Sequence, residues 1–304
     1  MAPAIEVSGL RKRYDELVAV DGVSFRVDHG ECFGILGPNG AGKTTTLELV
    51  EGLRRADEGS IEVLGMAPWP RNPALLRRVG VQLQGTAFIE HLSAIEQLRT
   101  VTDLYGVERP RAAEVLEQVG LTDTADRDID DLSGGQRQRL SIACALVHRP
   151  EVLFLDEPSA GLDPTARRTL WEVLESVRAE GTTVVLTTHY MDEAEVLCDR
   201  VAIMERGRIL ADDAPAELVR RLDAPTRLLL PPHAMTVDAA AAVEGVDEVA
   251  LDEGALTLVT RQPAEVLGRL AALDALDGLQ VRSGTLEDVF VSLTGRELGR
   301  GEHA

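Results

Sequence analysis

The 304-residue sequence has little lysine, few aromatic side chains, few cysteines and no long apolar run, and each shortage narrows what the chain can be. Only two of its 31 basic residues, Lys12 and Lys43, are lysines, so each stands out against an arginine background. Those 31 basic residues face 51 acidic ones, and the net charge of -20 repels polyphosphate backbones and argues against nucleic acid as a partner. Any anion bound here has to be held by a local device. Aromatic residues make up 3% of the chain, but 44% hydrophobic and 27% charged residues still describe an ordinary globular protein and exclude extensive disorder. The three cysteines, Cys32, Cys144 and Cys198, form neither a CxxC pair nor a Cys/His ligand cluster, so buried, reduced thiols in a cytosol are expected. No apolar run reaches the roughly 18 residues that span a bilayer, and the opening segment MAPAIEVSGLRKRY lacks the apolar core of a signal peptide. A membrane would enter only through a partner.

The length suggests about two domains. Residues 5–10 and 23–27 read as strands, and the apolar run over 32–36 enters a glycine-rich turn followed by a helical stretch. Helical spacing with few strand signals fills about 87–148. Two β-rich runs, VLFLDEP and TTVVLTTH, flank a helix and form a βαβ unit of a parallel sheet; VAIMERGRILAD then reads as a hairpin turned at Arg206 and Gly207. The pattern changes near residue 223. Beyond it, strand 226–230, helix 237–243, strands 246–251 and 256–260, helix 264–273 and strand 279–282 follow a βαββαβ order, with a last helix over 286–293. A small ferredoxin-like α+β domain is expected over 223–304.

The strongest motif is Gly37-Pro38-Asn39-Gly40-Ala41-Gly42-Lys43-Thr44, a G-x-x-x-x-G-K-[ST] string between an apolar strand and a helix, as the P-loop requires. Its glycines let backbone N–H groups turn inward, the helix N-terminus adds partial positive charge, Lys43 reaches the β- and γ-phosphates, and Thr44 ligates Mg²⁺. Thr45 follows on the same helix. Downstream, Asp156 and Glu157 project from the end of a buried strand, where adjacent acids are costly without a cation. The first suits Mg²⁺ and the second can act as general base toward an attacking water. Between these two motifs, Leu132-Ser133-Gly134-Gly135-Gln136 places a hydroxyl and two glycines at the start of a helix, a second anion-binding device that a one-site enzyme does not need.

At LSGGQ the sequence resembles the ATP-binding-cassette (ABC) ATPases, over about residues 5–220. The resemblance implies an α/β P-loop cassette over 1–222, with the helical subdomain at about 87–148 and ATP sandwiched between the P-loop of one subunit and the signature of the other. By the same resemblance, Tyr14 stacks on adenine, Gln84 is the Q-loop glutamine that contacts Mg²⁺ and water, Asp163 lies in the loop crossing the dimer interface, and His189 contacts the γ-phosphate. Gln82 competes with Gln84, but counting from Val79-Gly80 favours Gln84. The runs TTHYMDEAEVLCDRVAIMERGRI and GTLEDVFVSLTGREL are similar to ATPase subunits of ABC-2-type exporters, including daunorubicin-resistance ATPases, although Asp213-Ala214-Pro215 stands where Gly-Thr-Pro is usual. This implies an ATPase that drives efflux of drugs or other small molecules, with ATP and Mg²⁺ as cofactors. Its partners would be a second copy of itself and a separate membrane permease, with the chain held through the permease at the cytoplasmic face of the membrane. A soluble ABC ATPase acting on ribosomes or DNA is the alternative; against it stand one P-loop, one signature, no sustained heptads and the acidic charge. A P-loop kinase or GTPase would leave the signature unexplained.

Overall fold

The computed structural model describes residues 2–82, 88–222, 224–252, 254–282 and 284–295. The chain divides into two units, Met1–Pro215 and Ala216–Ala304.

In the first unit, β1 (Ile5–Tyr14), β2 (Leu17–Val27) and β4 (Glu58–Val63) form an antiparallel sheet in the order β2-β1-β4. The pairings of Ile5 with Val27 and Val63 turn Ile5, Val7 and Leu10 inward. β1 runs past the expected end at Leu10 because its charged residues pair as well, Arg11 with Asp21 and Lys12 with Val20.

A second sheet is built from β3 (Cys32–Leu36), β5 (Val79–Gln82), β6 (Val152–Asp156), β7 (Thr183–Thr188), β8 (Arg200–Glu205) and β9 (Arg208–Asp213), in the order β5-β6-β7-β3-β8-β9. All neighbours are parallel except β9, which returns antiparallel to β8 around Arg206 and Gly207. Every residue of β3, β6 and β7 is buried, as expected of parallel strands covered on both faces. Helix α1 (Lys43–Val50) contributes Leu47, Leu49 and Val50 to a core shared with Ile5 and Phe25 of the first sheet and Phe33, Phe154 and Val185 of the second. The Phe25 and Phe33 rings stack with centroids 5.1 Å apart. A short helix, α2 (Pro73–Leu76), precedes β5.

The helical block holds α3 (Ala94–Tyr105), α4 (Pro110–Gln118) and α5 (Gly134–Leu146). The three helices pack on one another, and each buries apolar residues: Ile95 and Leu98, Val115 and Leu116, Leu140 and Ile142. α6 (Pro164–Ala179) and α7 (Met191–Leu197) follow β6 and β7, and the division between the units falls at the start of α8 (Pro215–Arg221).

The second unit runs β10 (Thr226–Leu230), α9 (Val237–Ala241), β11 (Glu248–Asp252), β12 (Ala255–Thr260), α10 (Pro263–Ala272), β13 (Gln280–Arg282) and α11 (Leu286–Thr294). Its antiparallel sheet has the order β11-β12-β10-β13. Leu228, Leu230, Leu256 and Leu258 form one apolar layer with Ala240, Val266 and Leu270 of the helices. On α11, Leu286, Val289 and Phe290 are buried, while Leu293 is exposed. Among the described residues no helix is long and apolar enough to cross a membrane.

Candidate functional site

Strand β3 ends at Leu36, and the chain turns through residues 37–42 into α1, at the carboxyl ends of the parallel strands where open α/β sheets place ligands. Two glycines show why this turn needs them. A Cβ on Gly37 would sit 2.2 Å from the Met204 carbonyl oxygen, and one on Gly42, whose φ is +103°, would sit 2.3 Å from the Ala19 oxygen. The turn is thus pressed against β8 and β2, with its open side toward a cleft of about 540 Å³. Asn39, Gly40, Gly42, Lys43, Thr44, Thr45, Tyr14 and Glu157 line that cleft. The first-turn amides of α1 have no acceptor within the helix, which suits an anion.

Lys43 is almost fully buried and points its ammonium back across the turn. Nζ donates to the Gly37 oxygen at 2.8 Å and the Pro38 oxygen at 3.2 Å, and it lies 3.1 Å from Glu157 Oε1. Ala41, also buried, uses its carbonyl to accept from Gly207 N–H at 2.8 Å.

The acidic pair separates in environment. Asp156 closes β6, and its Oδ1 accepts from Thr187 Oγ1 at 2.5 Å and from Thr44 Oγ1 at 3.1 Å. Burial raises its pKa, with the two hydroxyls opposing. Glu157 sits one residue later at φ +47°, a left-handed conformation that costs a non-glycine residue about 1–3 kcal/mol. Its N–H bonds to the Thr187 oxygen and hydroxyl hold it there, at 3.2 and 3.0 Å. His189 Nδ1 lies 3.4 Å from Glu157 Oε2. His189 and then Lys43 pull the Glu157 pKa down to about 2, against burial, so this carboxylate is ionised across the physiological range.

The oxygens of Thr44 and Asp156, in contact at the P-loop, are hard donors of the kind Mg²⁺ takes alongside substrate phosphates. Among the described residues no cluster of three or more His, Cys, Asp or Glu forms a ready-made metal cage. A cation here would be completed by phosphate and water. Gln84, the third expected ligand, lies outside the described residues; Gln82 ends β5, buried beside β6.

Tyr14 reaches the same cleft from the end of β1, with Lys12 Nζ 5.5 Å and Arg54 Cζ 5.6 Å from its ring centroid. Ser133, Gly134, Gly135 and Gln136 start α5 as a capping box: Ser133 Oγ accepts from Gln136 N at 3.2 Å, and Gln136 Oε1 accepts from Ser133 N at 2.9 Å. A Cβ on Gly135 would lie 2.8 Å from Ala166 Cβ, so this glycine also lets α5 meet α6. Asp163 caps α6 by accepting from Thr165 N and Ala166 N, each at 2.9 Å. None of these five residues is among those lining the P-loop cleft of the same chain.

Sequence reasoning missed several cleft residues. Leu17, Val18 and Ala19 of β2 and Arg206 of the hairpin line it too, and Thr187 holds both acids. The Thr187-Thr188 pair before His189 was a visible signal for the last; nothing local marks the others. A second cleft of equal volume, lined by His29, Arg111, Arg149, Glu151 and Glu180, lies toward the opposite strand ends and contains none of the motif residues.

A model of the ABC transporter family matches residues 20–160. Nod factor export ATP-binding protein I of Ralstonia nicotianae is 40% identical, over 97% of this chain and 95% of its own length. Linearmycin resistance ATP-binding protein of Bacillus subtilis is 36% identical, over 97% of this chain and 99% of its own length. Among solved structures, a dimeric ATP-binding cassette in a post-hydrolysis state, bound to ADP and Pi, superposes with a TM-score of 0.62 and 26% identity over 69% of this chain and 98% of that one.

Proposed function

Because this chain belongs to the ATP-binding proteins of the ABC transporter family, with their P-loop cassette fold and ATPase activity, we propose that it is the energy-coupling subunit of an ABC-2-type exporter. Two copies bind two MgATP head to tail, and closure of that dimer moves a separate membrane permease. Relatives named for export and for resistance support efflux of a drug or another small molecule. They also weigh against action on ribosomes or DNA, as does the charge of -20.

One observation carries the reading. The P-loop cleft is lined by the buried Lys43 and by Glu157, whose other carboxylate oxygen lies 3.4 Å from His189, yet the second anion-binding helix start, at Ser133, is not among its lining residues. Such a helix start serves a phosphate only if it comes from another subunit. The closed state then favours ATP over ADP because both halves touch the same γ-phosphate.

Within each site, Thr44 and Asp156 would hold Mg²⁺, with Gln84 completing the set, and a cation there would supply neutralisation of the charge on the nucleotide's phosphates. Lys43 and the first-turn amides of α1 bind the phosphates. Glu157, already ionised, accepts a hydrogen bond from the attacking water, and His189 orients the attack. Ser133, Gly134, Gly135 and Gln136 of the other subunit cap the γ-phosphate, Asp163 lies in the crossing loop, and Tyr14 stacks on adenine. The second unit is read as a ferredoxin-like accessory domain for assembly or regulation; its βαββαβ order and sheet order β11-β12-β10-β13 support this. The chain is held at the cytoplasmic face of the membrane through the permease.

Glu157→Gln keeps the shape of the side chain and removes the base. Hydrolysis is expected to fall about 10²–10⁴-fold while ATP still binds. On size-exclusion chromatography ATP should then accumulate a stable dimer of this variant. A variant that binds ATP and stays monomeric would reject the sandwich.

A further inference from the structure

The turn after Glu157 and the first turn of α7 are joined beneath the site by one carboxyl group. Glu193, on α7, has no exposed surface, and neither does Ser159, in the turn between β6 and α6. Glu193 Oε1 accepts a short hydrogen bond from Ser159 Oγ and a longer one, 3.3 Å, from Trp171 Nε1 of α6. A carboxyl group in a core is costly, and burial raises the pKa of this one against its hydrogen bonds and the nearby charge of Arg167. An apolar side chain of similar volume would fill this space at lower cost.

What surrounds Glu193 leads to His189. The Arg167 guanidinium lies 4.1 Å over the Tyr190 ring and 3.2 Å from Asp192 Oδ2, which ties the start of α6 to the residues after His189. Tyr190 N donates to Thr188 Oγ1 at 2.9 Å, and its ring centroid is 4.1 Å from that of His189. His189 in turn meets Glu157. Ser159 lies four positions before Asp163, the cap of α6, so its bond to Glu193 connects the crossing loop to this cluster.

We infer that Glu193 is a positioning residue that ties the Ser159 turn to the first turn of α7, so that His189 and the Asp163 segment take their places together. The inference rests on the functional reading above, in which His189 serves the γ-phosphate of its own subunit and the Asp163 segment reaches the site of the other. A single buried carboxyl then makes the state of one site felt at the crossing loop that serves the second.

The test is steady-state ATPase kinetics, nucleotide affinity and thermal stability of the full chain carrying Ser159→Ala, Glu193→Gln, Glu193→Ala or the double alanine change. Ser159→Ala is expected to lower kcat about tenfold with KM and nucleotide affinity unchanged, the signature of lost positioning rather than lost binding. The Hill coefficient for ATP should fall toward one. Glu193→Gln, which keeps an acceptor for Ser159, should stay within about threefold of wild type. The double variant should be no worse than Glu193→Ala, because the two residues act through one bond. Wild-type kcat in Ser159→Ala would overturn the tie, as would a matched loss of kcat, affinity and stability that marks a merely structural contact. Should Glu193→Ala fail to fold, Ser159→Ala and Glu193→Gln decide. Failure of the functional reading itself would show differently, as a Lys43→Ala protein with full activity.

Discussion

Lys43 Nζ and Glu157 Oε1 stand 3.1 Å apart with side chains only 4% and 10% exposed, a nearly buried ion pair between the start of α1 and the end of β6. The ammonium has three donors and three partners, two of them carbonyls of its own turn. The pair therefore joins the group proposed to hold phosphate to the group proposed to meet the attacking water.

Lys43→Ala is expected to nearly abolish nucleotide binding or hydrolysis, because it removes the buried cation of the cleft. The fold should persist by circular dichroism, since the bonds from Thr187 still hold the Glu157 backbone. Wild-type ATPase activity in the folded variant would overturn the P-loop assignment.

Two glycines of the same turn should respond differently to alanine. At Gly40 φ is +81° with open space around the added methyl, so the cost is conformational, about 1–2 kcal/mol. At Gly37 the methyl would meet the Met204 carbonyl at 2.2 Å, and backbone has to move. Chemical denaturation should therefore rank Gly37→Ala as clearly less stable than Gly40→Ala; equal midpoints would contradict the packing of the turn on β8.

The shared-site geometry is testable by proximity. With cysteines placed at Asn39 and Ser133, mild oxidation in ATP should give a species of dimer size on a non-reducing gel, and omission of ATP should reduce it. A cross-link within one chain would contradict a site built from two subunits. Mixed subunits carry the same logic: Ser133→Arg and Lys43→Ala proteins together form one intact composite site and one doubly broken site.

Glu51 follows α1 and is 4% exposed, and neither carboxyl oxygen has a hydrogen-bond partner among the described residues. Burial first, then Asp156 and Glu48, push its pKa up to about 8 from an ordinary value of 4.5. The folded chain thus holds a proton that the unfolded chain releases between those values. Stability conferred by that proton is full below about pH 4.5 and is lost as pH rises toward 8, by up to about 1.4 kcal/mol per pH unit. Glu51→Gln should flatten the decline of melting temperature across that window and raise it at pH 8. An unchanged pH profile would show that Glu51 is not the titrating group.

Much of this was legible in the sequence, for physical reasons that differ by residue. β3 and β10 match the segments read from the chain, because short apolar runs bounded by turn residues announce themselves. β1 was read short, since Arg11 to Tyr14 carry the polarity of a loop and owe their strand to partners on β2. β4, α2 and β5 are short elements, of 6, 4 and 4 residues, and are not anticipated from the sequence. The P-loop and the acidic pair were visible as strings, whereas Arg206 reaches the cleft from over 160 residues away along the chain, and the left-handed backbone of Glu157 has no sequence signal. Glu193 is an ordinary helix residue by pattern; only the fold places it against Ser159.

Gly207, at the turn of the hairpin, uses both of its backbone polar groups. Its N–H is spent on Ala41 of the P-loop, its oxygen takes the N–H of Asp21 on β2, and Arg208 next to it grips the Asp21 carboxylate at 2.8 Å. One residue thereby rivets together three stretches of chain: the phosphate loop, the strand that forms one wall of the cleft, and the edge of the parallel sheet. A tug on the phosphate loop travels straight into the small antiparallel sheet, which behaves as an outrigger bolted to the loop. The phosphate loop and that wall of the cleft are thereby braced as one piece.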